Sequence, residues 1–289
     1  MVQCMLTYSS YKTPAEFDAG YANNIDAAVV AHWEAFFRAR SAALAAPRLE
    51  LTYGPDARNR IDFFPAPNAP PEAPVLIAIH GGLWFLFDKW MMHFLVPAFT
   101  AAGVHVACPN YRLAPAVGLG DIVGDCRRAI AFVHDNRDAT GAGTGRMYVL
   151  GHSAAGQLAA AMASTNWPEF DPRLPADMLN GFIGVSGFYD IEPFADTGFQ
   201  QQTKFAIGDY KTWNPVEMIR AGMPPGLLVT GAKESGLLRE MMDGYAALLR
   251  ATAINVETVD VPGEDHFSVL ARLGDAASGL HERVLAWML

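Results

Sequence analysis

A serine hydroxyl becomes an effective nucleophile when a base takes its proton, a carboxylate orients that base, and donors receive the charge that develops on the attacked carbonyl. Ser153 is placed for such chemistry. It lies in Gly151-His152-Ser153-Ala154-Ala155-Gly156, after the apolar run Met147 to Leu150 and before Ala154 to Ala163, a small-residue stretch of helix-forming composition. A sharp strand-to-helix turn exposes a hydroxyl and aims nearby amides at the reacting carbonyl. The usual pattern is Gly-x-Ser-x-Gly, and here Ala155 takes the second glycine position. A small-residue helix start is therefore the competing reading of this stretch.

The donors are expected from His80-Gly81-Gly82-Leu83-Trp84, which directly follows the apolar run Val75 to Ile79. Glycines there let a loop pass close to the nucleophile, so that backbone N–H groups can stabilise negative charge. Gly82 and Leu83, with Ala154 after the nucleophile, are the expected oxyanion donors. His80 reads as a residue that holds this loop.

His266, in Gly263-Glu264-Asp265-His266-Phe267, follows the last strand candidate and precedes an apolar helix, which suits a late base. His32, His134 and His281 sit in helical surroundings and His105 in a strand, where packing or surface roles suffice. Glu234 follows the apolar run Leu227 to Thr230, where a carboxylate can reach the second nitrogen of the histidine and fix its tautomer. Three other carboxylates compete: Asp265, whose adjacency to His266 makes approach awkward; Asp190, one strand too early; and Asp260.

Trp84, Phe85, Phe87, Trp90 and Phe94 make the segment after the glycine loop strongly aromatic. Core packing accounts for several of them, and the remainder suit a pocket for an aryl group. Trp84, Phe85, His93, Phe188 and Tyr189 are the candidate substrate contacts, and a small, aromatic molecule is the expected partner.

These residues need a scaffold, and the chain alternates strand and helix patterns. Leu49 to Tyr53 and Arg60 to Phe64 read as opening strands around the turn Gly54-Pro55-Asp56. Val75 to Ile79, Val104 to Ala107, Met147 to Leu150, Phe182 to Val185, Leu227 to Thr230 and Ile254 to Val259 read as further strands. Helical patterns cover Asp121 to His134, Leu237 to Arg250 and Gly279 to Leu289. Such alternation predicts a mostly parallel sheet covered on both faces. An Ala-rich amphipathic helix from Ala27 to Ala46, ended by Pro47, belongs to an N-terminal helical extension over about residues 15–47. Residues 187–222 contain no strand pattern and read as a cap or substrate-facing excursion, or as an ordinary surface connection. One domain over residues 1–289 is the default.

The remaining features mainly exclude. With 289 residues and a formal charge of -9, the chain lacks the basic character a nucleic-acid partner requires. Its 3 cysteines, Cys4, Cys108 and Cys126, form neither a disulfide framework nor a metal motif, and buried thiols are the expected state of Cys108 and Cys126. There is no His-Glu-x-x-His motif and no dinucleotide fingerprint in its required context, so neither a metal nor another cofactor is expected. The glycines between Gly141 and Gly145 precede a strand and lack the Gly-Lys-Ser/Thr continuation of a phosphate loop. No signal peptide or long apolar run appears, so no membrane association is expected and a cytoplasmic location is the simplest assignment. The apolar C-terminal helix is compatible with a homodimer.

Taken together, these motifs resemble the kynurenine formamidase (arylformamidase) branch of the α/β-hydrolases, related to carboxylesterases and hormone-sensitive lipase. The resemblance runs from about residue 50 to the C-terminus. His80-Gly81-Gly82-Leu83-Trp84 is similar to that family's oxyanion loop, Asp88-Lys89 to its following acidic-basic pair, and Ser186-Gly187-Phe188-Tyr189-Asp190-Ile191-Glu192-Pro193 to its post-strand segment. Asn110-Tyr111-Arg112-Leu113-Ala114-Pro115 is shared broadly with related esterases. The resemblance implies an α/β-hydrolase fold, Ser153 as nucleophile, His266 as base and Glu234 as acid. It also implies hydrolysis of a small aromatic formamide or amide, with a small-molecule carboxylesterase or a noncatalytic binding protein as alternatives. The chain departs from the family at Ala155 and at Gly236-Leu237-Leu238, where a Ser-Pro-Glu-Phe continuation is lost.

Overall fold

The computed structural model describes residues 6, 8, 11–22, 26–46 and 48–289, so Cys4 and Pro47 lie outside the described residues. Two helices come first, α1 (Pro14–Ala22) and α2 (Ala27–Ala42). A capping box starts α1: the Glu16 carboxylate accepts from Thr13 N at 2.9 Å, and Thr13 Oγ1 accepts from Glu16 N at 3.3 Å. Asp26 caps α2 by accepting from Val29 N at 2.8 Å. The second helix stops at Ala42, short of the expected Ala46.

Strands β1 (Leu49–Thr52), β2 (Arg60–Phe64) and β3 (Val75–Ile79) follow, then a 3₁₀ segment over Lys89–Leu95, α3 (Val96–Ala101) and β4 (His105–Pro109). The middle of the chain forms α4 (Leu119–Asp135), α5 (Arg137–Thr140), β5 (Met147–His152), α6 (Ala154–Ala163), α7 (Trp167–Phe170) and β6 (Gly181–Val185). After a 3₁₀ turn at Glu192–Asp196 come α8 (Gly198–Thr203), α9 (Ile207–Thr212), β7 (Gly226–Gly231), α10 (Gly236–Ala251), β8 (Val256–Val261), α11 (Ser268–Leu273) and α12 (Gly279–Met288).

The eight strands form one sheet in the order β1-β2-β4-β3-β5-β6-β7-β8, antiparallel at β1/β2 and β2/β4 and parallel elsewhere. This is the α/β-hydrolase fold. The uninterrupted apolar strands are buried on both faces, as their composition requires. Val75, Ile77 and Ile79 of β3 join Met147 and Val149 of β5 in one core layer, whereas Leu76 and Ala78 join Tyr148 and Leu150 in the other. Registration of Ile79 with Gly151 brings the carboxyl ends of β3 and β5 side by side, so the glycine loop and Ser153 emerge next to each other. Ligand sites of open α/β sheets form at such ends.

One ion cluster anchors the loop after β4. Asp125 is fully buried on α4 and takes Arg112 Nε at 2.8 Å and Arg112 Nη2 at 3.1 Å, with Arg128 also bound. Cys108 and Cys126 are buried free thiols. Among the described residues, no helix is long and apolar enough to cross a membrane.

Candidate active site

Ser153 sits between β5 and α6 with φ 57° and ψ -126°, a positive-φ conformation that a non-glycine residue holds only at a cost of about 1–3 kcal/mol. Its neighbours hold it there. Ser153 N donates to Val185 O at 2.9 Å, and Ser153 O accepts from Gly156 N at 2.7 Å. Gly151 is required because a Cβ there would lie 1.8 Å from Ala155 O. Ala155 is fully buried, and the close approach expected of the missing glycine occurs one residue later. A Cβ on Gly156 would meet Gly187 Cα at 2.4 Å, backbone against backbone. Gly156→Ala is therefore expected to cost roughly 1–3 kcal/mol of stability, read as a lower urea midpoint, by forcing α6 away from the turn after β6.

His266 Nε2 lies 3.0 Å from Ser153 Oγ, and His266 Nδ1 lies 3.1 Å from Glu234 Oε2. A carboxylate only accepts, so Nδ1 carries the proton and Nε2 is left to accept from the Ser153 hydroxyl. All three side chains are buried or nearly so. Burial disfavours the charge on Glu234, but its interactions with His266, with the Ser186 side chain and with the Ser235 amide together offset this and hold the carboxyl below its ordinary range. The loops carrying Glu234 and His266 are tied together: Lys233 N donates to Glu264 O at 2.8 Å, and a Cβ on Gly231 would sit 2.3 Å from that same carbonyl.

The competing carboxylates are engaged elsewhere. Asp265 Oδ1 accepts from Phe267 N at 3.1 Å and Ser268 N at 2.9 Å, at the turn leading into α11. Asp190 accepts from Tyr8 Oη and Asn214 Nδ2, each at 2.8 Å. Asp260 forms a two-bond pair with Arg239.

Gly82, Leu83 and Trp84 have consecutive positive φ values of 104°, 54° and 63°. Glycine is needed at 81 and 82: a Cβ at Gly81 would lie 2.6 Å from His152 O, and one at Gly82 would lie 2.5 Å from Leu86 O. Among the described residues neither Gly82 N nor Leu83 N donates to another backbone oxygen. Ala154, at the first position of α6, carries an amide that the helix itself cannot use. The loop is braced from behind. His80 donates from Nδ1 to Gly81 O at 2.8 Å and stacks on Tyr111 at 4.3 Å, while Tyr111 Oη donates to His80 O at 2.8 Å. Arg58 Nη2 donates to Phe87 O at 3.0 Å.

Around Ser153 lies a cavity of about 30 Å³ lined by Gly82, Leu83, His152 and His266, with an apolar wall of Tyr21, Val30, Leu86, Phe87, Met91 and Phe267. This corrects the expected substrate contacts. Trp84 is a core residue, 1% exposed, whose Nε1 donates to Gln157 Oε1 at 3.0 Å. Phe188 is fully buried, and Tyr189 stacks on Tyr245 at 4.8 Å. Phe85 packs against the core, and His93 reaches Asp62 at 3.0 Å and does not line the cavity, whose wall includes Met91 of the same 3₁₀ segment. Among the described residues, none from 187–222 lines the cavity; this segment instead packs through Phe188 and Phe199 against Tyr21. Of the large aromatics near the loop, Trp84, Phe85 and Phe94 pack in the core and Phe87 lines the cavity, whereas Tyr21 and Val30 reach the site from helices distant in sequence. No local pattern could have announced them.

Two buried histidines give the fold a pH dependence. Burial pushes His80 down to about 4 and His152 down to about 3 from an ordinary 6.5. Below about 6.5 the unfolded chain binds protons that the folded chain refuses, so stability present at neutral pH is lost as pH falls through that window. At about 1.4 kcal/mol per unit, His80 alone accounts for on the order of 3 kcal/mol between pH 7 and 4. Urea midpoints measured at pH 7.5 and 5.0 should fall with acidification, and an unchanged midpoint would contradict neutral burial of these rings.

Comparison with known proteins agrees with this architecture. The chain is 26% identical to the kynurenine formamidase of Salmo salar over 86% of its own length and 84% of that protein. It is 23% identical to an isoprenylcysteine alpha-carbonyl methylesterase of Arabidopsis thaliana, covering 76% of this chain and 56% of that one. Among solved structures, a candidate thioesterase of Silicibacter sp. superposes with a TM-score of 0.74 at 25% identity, covering 91% of this chain and 96% of the other. The BD-FAE family profile matches residues 61–238, which span β2 to the start of α10 and include the glycine loop, Ser153 and Glu234. The chain belongs to the BD-FAE family and is a hydrolase of the α/β-hydrolase esterase and thioesterase superfamily.

Proposed function

We propose that this chain is a serine hydrolase that cleaves a small, aromatic formamide or amide through a covalent acyl-enzyme. The observation that carries the reading is the continuous relay from Ser153 Oγ through His266 to Glu234, opening into a cavity of about 30 Å³. In the first half-reaction Ser153 Oγ attacks the carbonyl as His266 Nε2 takes its proton. The amides of Gly82, Leu83 and Ala154 stabilise the oxyanion, and His266 returns the proton to the departing amine. Water then attacks the acyl-serine with His266 again as base, releasing the acid and restoring the hydroxyl.

The size of the cavity bears on the acyl group. One water needs roughly 10–15 Å³ by this kind of measure, so the space beside Ser153 admits a fragment of a few heavy atoms. That supports a formyl or acetyl group over a longer chain, and similarity to kynurenine formamidases supports the formamide. A small-molecule carboxylesterase with the same three residues is the second reading, supported by similarity to the plant methylesterases.

Purified protein should be assayed on an aryl formamide and on the matched aryl formate, acetate and butyrate. The proposal expects the formamide to be turned over and kcat/KM to fall steeply from acetate to butyrate. Val30→Ala, which widens the wall from α2, should raise the butyrate-to-acetate ratio about tenfold, since one or two methylenes in a tight pocket are worth roughly 1–3 kcal/mol. Ester turnover with no formamide turnover would establish the second reading instead.

A further inference from the structure

We infer that His152, the residue between the glycine and the serine of the strand-to-helix turn, is a positioning residue for His266. It rests on the reading of His266 as the base. His152 ends β5, and the period of two along that strand places it on the same face as Tyr148 and Leu150, beneath the loop that carries His266. It is 1% exposed, and its Nε2 lies 2.7 Å from the backbone carbonyl oxygen of His266. A carbonyl only accepts, so the proton of His152 sits on Nε2 and Nδ1 is a bare acceptor, buried and unpartnered among the described residues.

The same ring lies 4.8 Å from the His266 ring and 5.8 Å from Phe267, and forms part of the cavity wall. His152 thus fixes one histidine's main chain through its Nε2 hydrogen bond and packs its ring, tilted by 47°, against that histidine's imidazole. Misplacing a base by an ångström is enough to cost about a hundredfold in rate. The charge state of His152 matters as much as its contact. An imidazolium forms at His266 in the transition state, and a second cation at this distance would oppose it. Burial keeps His152 neutral, which preserves the proton-accepting capacity of its neighbour. The groups facing it from the packed elements are His266 and Glu234, and the carboxylate leaves the site without a net positive charge.

Second-order labelling of Ser153 by a small aryl phosphonate, together with kcat and KM on the preferred substrate, tests this. The comparison set is wild type, His266→Ala, His152→Phe and His152→Gln. His152→Phe keeps a ring of similar size without a donor, and His152→Gln keeps a neutral N–H donor. The expected result is a 10- to 100-fold loss in labelling rate and kcat for His152→Phe with KM within threefold, and recovery of most of that loss in His152→Gln. Should the Phe variant not fold, His152→Leu replaces it with the same expectation, and a retained far-UV spectrum qualifies either. Wild-type labelling in His152→Phe, or equal losses in the Phe and Gln variants, overturns the inference. Rapid labelling of His266→Ala is the separate outcome that overturns the reading of the base itself.

Discussion

Replacing Ser153 with alanine should lower kcat/KM by about 10⁴- to 10⁶-fold while leaving the fold and its unfolding midpoint near those of the wild type. In the proposed mechanism the Ser153 oxygen forms the covalent bond, and His266 alone, left facing a methyl group, would have only water to activate. Residual catalysis from the oxyanion amides and substrate binding sets the floor, because these do not depend on the serine. Alanine removes one oxygen and adds nothing to the turn, so the positive φ that β5, α6 and Val185 enforce persists. Because serine and histidine act as a unit, adding His266→Ala to Ser153→Ala should cost little more than Ser153→Ala alone. Circular dichroism and steady-state kinetics on the three proteins check this, and additive losses would contradict a shared mechanism.

Glu234→Gln should cost about 10³- to 10⁴-fold in kcat with a smaller change in KM. The carboxylate can only accept, and this forces the His266 proton onto Nδ1 at 3.1 Å. An amide can present its N–H₂ to the same nitrogen, which moves the proton to Nε2 and leaves no acceptor for the Ser153 hydroxyl. Glutamine also removes the negative charge that balances the imidazolium in the transition state. Its volume is nearly that of glutamate, so a cavity is not created and the effect should be kinetic. An Asp at this position restores the charge with a shorter reach and should recover part of the loss. If Glu234→Gln retained full kcat, the orienting role would fall to another carboxylate, although Asp265, Asp190 and Asp260 are all held by other partners.

Much of this arrangement was legible in the residues. The strands β2 and β3 and helix α6 fall where alternation and apolar runs placed them, and β3 does so because a strand buried on both faces has no alternative to a continuous apolar sequence. Ser153, Glu234 and His266 were each flagged by a local grammar of strand end, loop and next helix, and the folded sheet brings them within hydrogen-bonding distance. The substitution at Ala155 looked like a defect in that grammar. Structure explains it differently: the tight helix-to-turn approach is made by Gly156 against Gly187.

What the residues did not disclose is the wall of the cavity. Aromaticity near the glycine loop pointed to Trp84 and Phe85, and the later post-strand segment to Phe188 and Tyr189, yet of the aromatics after the glycine loop it is Phe87 that lines the cavity, while Trp84 is buried with its N–H donated to Gln157. Tyr21 and Val30 come from the N-terminal helices, outside residues 61–238, and only tertiary packing carries them over Ser153. The start of α1 did have a signal, Thr13-Pro14-Ala15-Glu16, a capping box with proline at the first helical position. His152 had one too, since the variable position of the turn ends a strand whose facing side is known from its neighbours.

In the proposed reaction Ser153, activated by His266, forms the covalent intermediate. Intact-protein and peptide mass spectrometry after treatment with a small aryl phosphonate tests it most directly, on wild type and Ser153→Ala side by side. A single adduct in the wild type, located on the peptide carrying Ser153, with concurrent loss of activity and no adduct in Ser153→Ala, is the predicted result. An adduct on another residue, or inactivation of wild type without modification of Ser153, would contradict it.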